Sequence, residues 1–64
     1  MARFLEYLGH DDMPEYVCLE DISAIVCDKT HPGSSCIYLR SDPESEFTAR
    51  GAPRDVLMGR IVEL

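Results

Sequence analysis

Apolar and polar residues alternate along most of this chain, and the dominant period is two. ARFLEYL (2–8) alternates enough for a strand, although Phe4, Leu5 and Leu8 also fit a short helix. GHDDMP then interrupts the pattern with Gly9, two aspartates and Pro14, which is turn chemistry. EYVCLE (15–20) and ISAIVC (22–27) are β-branched or aromatic alternating runs, and Asp21 between them predicts a kink or bulge. In THPGSS (30–35), Pro32 followed by Gly33 suits a type II turn, because proline presets φ and glycine accepts a positive φ. CIYLR (36–40) returns antiparallel, SDPES turns again, and EFTAR (46–50) is a last short strand.

The period changes after Gly51. Pro53 suits the first turn of a helix, and Asp55 is favourably placed against the helix dipole. Val56, Leu57, Ile61 and Leu64 form an apolar stripe at helical spacing, with Gly59 costing about 1 kcal/mol relative to alanine. The expected fold class is therefore α+β. It is one domain over residues 1–64, a small antiparallel sheet of three to five strands with one C-terminal helix packed on one face.

Strand parity sorts the side chains. Val17, Leu19, Ala24, Val26, Ile37, Leu39 and Phe47 are expected to meet the helix and form the core. Tyr16, Cys18, Ile25, Cys27, Cys36 and Tyr38 fall on the opposite face, which is also apolar. A sheet with one solvated face alternates apolar with polar, so this second face wants cover. Another copy of the chain would supply it, or the N-terminal segment folded across it.

Size strengthens that expectation, because a domain of 64 residues has a small core and usually gains stability from a staple or a partner. Twelve acidic against six basic side chains give a formal net charge of −6. Such a surface disfavours direct nucleic-acid binding and favours solubility, or a partner with a basic surface. MARFLEYL is too short and polar for a secretory or membrane-spanning segment, so no membrane association and a cytoplasmic location are expected. Three cysteines, an odd number, fit a reducing compartment.

The stretch CDKTHPGSSC (27–36) holds the densest candidate chemistry. Parity places Cys27 and Cys36 on one face across a hairpin, with Cys18 on an adjacent strand and His31 near the tip. They could serve as small apolar residues, as zinc ligands together with Cys18 and His31, or as a disulfide. No CxxC or HxxxH spacing is present, and no cofactor is expected. His10-Asp11-Asp12 reads as ordinary loop composition, and Ser34 and Ser35 near His31 lack a third group to orient them. The glycines are isolated, so no phosphate loop is present. Arg50, Arg54 and Arg60 read as a solvated helix edge. No catalytic residue is singled out, and an enzyme is not expected.

The stretch YVCLEDISAIVCD…SSCIYLRSDPESEFTARGAPRDVLMGRI resembles the FlbD-like small proteins associated with bacterial flagellar genes. The matching positions are Asp21-Ile22, Ile25, Ile37, Leu39, Phe47, Val56 and Ile61. The resemblance implies strand, aspartate-isoleucine step, strand, hairpin, strand and helix, in a bacterial, flagellar setting. SDPES stands where that family has a glycine turn, and the cysteines and the GHDD loop lie outside its pattern.

The function expected from these readings is a non-enzymatic protein–protein interaction module, homo-oligomeric, with Tyr16, Tyr38 and Ile25 as apolar anchors. An acidic inhibitor occupying a partner's basic groove and a zinc-stapled domain are the alternatives. A shared second face would make Tyr38→Glu dissociate the oligomer.

Overall fold

The computed structural model describes residues 1–64. It holds six strands and one short helix: β1 (Arg3–Leu8), β2 (Pro14–Cys18), β3 (Ile22–Cys27), β4 (Ser34–Leu39), β5 (Glu46–Arg50), α1 (Pro53–Leu57) and β6 (Ile61–Glu63). The strands form two three-stranded antiparallel sheets, β2–β1–β6 and β3–β4–β5. The expected single sheet of three to five strands is thus two sheets, and the chain is mostly β with little helix.

The sheets divide at Asp21. Leu19–Asp21 forms one turn of 3-10 helix between β2 and β3. The Asp21 carbonyl accepts from the Arg40 N–H (2.7 Å), and its carboxylate accepts from the Ser41 N–H (2.9 Å) and hydroxyl. One residue thereby ties the sheet change to the far end of β4.

The expected C-terminal helix is cut short and followed by a three-residue strand. Only Pro53–Leu57 is helical, with Val56 buried and Leu57 58% exposed. Gly59 ends it: its N–H bonds the Val56 carbonyl, and an added Cβ would stand 2.8 Å from the Glu6 carbonyl oxygen. The backbone can pass that close to β1 only without a side chain. Ile61 and Val62 then pair with Leu5 and Phe4.

The core lies between the sheets. Leu5, Tyr7, Val17, Ile37, Ala49 and Val56 are buried together, and Leu19, Ile22, Ile25 and Leu39 pack against them. Leu5 and Tyr7 therefore belong to the core from β1, which is a strand and not a helix. Of the expected core residues, Val17 and Ile37 are buried, whereas Val26 and Phe47 are 43% and 38% exposed.

Candidate functional site

The six residues expected on one second face are dispersed by the fold. In antiparallel pairs, residues directly opposite share a face. Ile25 pairs with Ile37, and Cys27 with Ser35, so both point to the core side. Cys36 pairs with Val26, and Tyr38 with Ala24, so these four line the outside of the β3–β4–β5 sheet. Tyr16 and Cys18 lie on the outside of the other sheet, paired with Glu6 and Phe4.

The loop between β3 and β4 causes this. The type II turn forms as expected: the Ser34 N–H bonds the His31 carbonyl (3.1 Å), and Gly33 has φ +84°. Ahead of it, however, the Asp28 carboxylate accepts from the Thr30 N–H (3.0 Å) and hydroxyl (2.8 Å), an Asx turn. That second turn takes residues from one side only. Asp28 consequently pairs with Ser34 across the five residues 29–33. An odd count inverts the phase of β3 against β4, so Cys27 and Cys36 sit on opposite faces.

The cysteines are free and separate: Cys18 is half-buried, Cys27 exposed and Cys36 buried. No cluster of three His, Cys, Asp or Glu side chains is arranged to hold a metal ion. Burial, then the Asp28 and Glu46 charges, pushes the Cys36 thiol above its ordinary pKa. His31 does find a partner. Its Nδ1 lies 3.2 Å from Asp28 Oδ2 and 2.9 Å from Thr30 Oγ1. The two Thr30 hydrogen bonds, hydroxyl first, hold the Asp28 carboxyl below its usual range.

Two outer faces remain as candidate surfaces. On the β2–β1–β6 sheet, Phe4, Cys18 and Val62 form an apolar row across all three strands. Tyr16 and Leu64 flank it, 55% and 78% exposed. A depression of about 380 Å³ opens there between Phe4, Tyr16, Val62 and Leu64, with Glu6 and Arg60 at its rim. The Tyr16 hydroxyl donates to Glu6 Oε1 (2.8 Å), and that bond is the main cause of its raised pKa. On the β3–β4–β5 sheet the rows end in polar residues of β5: Glu46 beside Tyr38, and Thr48 beside Cys36. Val62 and Leu64 were not expected on this face because the end of the chain was expected to be helix, whereas Val62 lies on β6 and Leu64 follows it.

Compared with protein-family models, curated proteins and solved structures, the chain matches none. No helix is long and apolar enough to cross a membrane.

Proposed function

We propose that this chain is a non-enzymatic protein–protein interaction module that self-associates through the outer face of the β2–β1–β6 sheet. The unbroken Phe4–Cys18–Val62 row beside Tyr16 and Leu64 carries this reading. Only nine of 64 residues are buried, so covering that face would add substantially to a small core. Glu6 and Arg60 lie on one rim and have opposite signs. Two copies facing one another about a two-fold axis can set each against its opposite. A bacterial, FlbD-like setting in the cytoplasm belongs to the same proposal. It rests on the matching positions Asp21-Ile22, Ile25, Ile37, Leu39, Phe47, Val56 and Ile61. Ile22, Ile25, Ile37, Leu39 and Val56 lie in or against the core, whereas Phe47 and Ile61 are exposed and Ile61 stands on a strand where the resemblance implies helix.

Native mass spectrometry of the reduced protein, purified without chelator, tests the reading. The wild type is expected as a dimer or larger assembly. Tyr16→Glu puts a charge into the face and is expected to give folded monomer. Tyr38→Glu, on the other sheet, is expected to keep the assembly. A wild-type monomer, or an assembly lost with Tyr38→Glu and kept with Tyr16→Glu, overturns the proposal.

A further inference from the structure

A second surface shares no lining residue with that face. It is a cleft of about 660 Å³ bounded by the β1–β2 turn, the β3–β4 loop and β5. In a chain with twelve carboxylate side chains, none lines it. Its ionisable groups are Arg50 and both histidines of the protein, His10 and His31; hydroxyls of Thr30, Ser34 and Thr48 complete it apart from Pro32.

Carboxylates stand behind these groups and orient them. Arg50 Nε is 2.7 Å from Asp12 Oδ1, and its Nη2 donates to the His10 carbonyl (3.0 Å). Two of the five guanidinium N–H donors are thereby fixed, leaving three for another acceptor. Asp12 does this from a left-handed backbone conformation, φ 64°. Asp28 and Thr30 hold Nδ1 of His31, so Nε2 is the nitrogen left over.

We propose that this cleft binds a phosphate-class oxyanion, held by Arg50, His10, His31 and the surrounding hydroxyls. A tetrahedral oxyanion offers several acceptor oxygens to a guanidinium fork, imidazolium donors and hydroxyls at once. A carboxylate offers two. No phenylalanine or tyrosine lines the cleft. The class is inorganic phosphate or a small phosphate monoester.

Binding should depend on pH. With Nδ1–H directed at Asp28, a neutral His31 presents a lone pair at Nε2 and repels the oxyanion; a protonated ring donates. The groups around it are Asp28 and Thr30 from its own loop, Arg50 and Thr48 from β5, and His10 from the β1–β2 turn, with Asp12 paired to Arg50. A phosphate monoester ionises a second time near pH ~6 and the free ion somewhat higher, whereas the rings donate only when protonated, so affinity should fall towards pH ~8.

The test is an NMR titration of the two histidine Cε1–H resonances in sodium phosphate, glycerol phosphate or acetate, each against sodium chloride at equal ionic strength. Both imidazole midpoints are expected to rise in phosphate. Affinity should be roughly tenfold weaker at the higher pH. Arg50→Gln should cost at least about tenfold at the lower pH, and His31→Gln should flatten the pH profile. Both side chains are exposed, and dispersed amide spectra will show that the variants fold. A response to glycerol phosphate stronger than to phosphate assigns the site to monoesters, an equal one shows that it accepts both, and a response to phosphate alone assigns it to the free ion. Midpoints equal in phosphate and chloride, an equal response to acetate, or a response untouched by Arg50→Gln overturns the proposal.

Discussion

Tyr7 is 8% exposed, and burial, followed by its hydrogen bond and proximity to Glu15, pushes its pKa up to about 12. Below pH ~10 the phenol is protonated in folded and unfolded chains alike, so it adds no pH dependence. As pH rises from ~10 to ~12 the unfolded chain ionises first. Stability should fall there by about 1.4 kcal/mol per pH unit. Tyr16 and Tyr38 are also raised, chiefly by their bonds to Glu6 and Glu46, but they titrate in solvent and add less. Urea unfolding across this range should show the decline in wild type and a much shallower one in Tyr7→Phe. Equal slopes would place the alkaline sensitivity elsewhere.

At the scale of elements, the turn from α1 into β6 depends on one glycine. Gly59→Ala forces a Cβ against the Glu6 carbonyl at 2.8 Å, a backbone atom that cannot swing aside. The expected loss is about 1–3 kcal/mol, by analogy with overpacked cores, and calorimetry should show a lowered Tm. An unchanged Tm would mean that β6 shifts freely on β1. The strands β1 to β5 were legible because their alternation is strong and their turns carry Pro, Gly or Asp. The type II turn at Pro32-Gly33 was legible too. Face assignments were not, because parity survives only if every residue of a loop is counted correctly. The Asx turn at Asp28 adds residues on one side and reverses the phase of β3. The end of the chain misled for another reason: Val56, Leu57, Ile61 and Leu64 fit a helix by spacing, and only the close approach at Gly59 makes a strand of the last part.

In the whole molecule, the apolar surface that composition implied is present but divided between two sheets. Its anchors split accordingly, with Tyr16 on one outer face, Tyr38 on the other and Ile25 turned inward. The histidine cleft could not be read from sequence, because His10, His31 and Arg50 come from three separate segments. Only the fold brings them together.

β1 receives its two partners from opposite ends of the sequence, β2 next to it and β6 almost the whole chain away. The amides of Ala2 and Glu6 bond towards β6, at Leu64 and Arg60, while the Gly9 amide bonds the Met13 carbonyl on the β2 side. Even-numbered amides of this strand are thus guarded by a distant closure and odd-numbered ones by a local hairpin. If the distant strand releases first, deuterium should enter β1 in an alternating sequence, with Phe4 and Glu6 exchanging ahead of Leu5 and Tyr7. A single strand would then record, residue by residue, the order in which the sheet comes apart; a uniform rate along it would mean that all three strands open together.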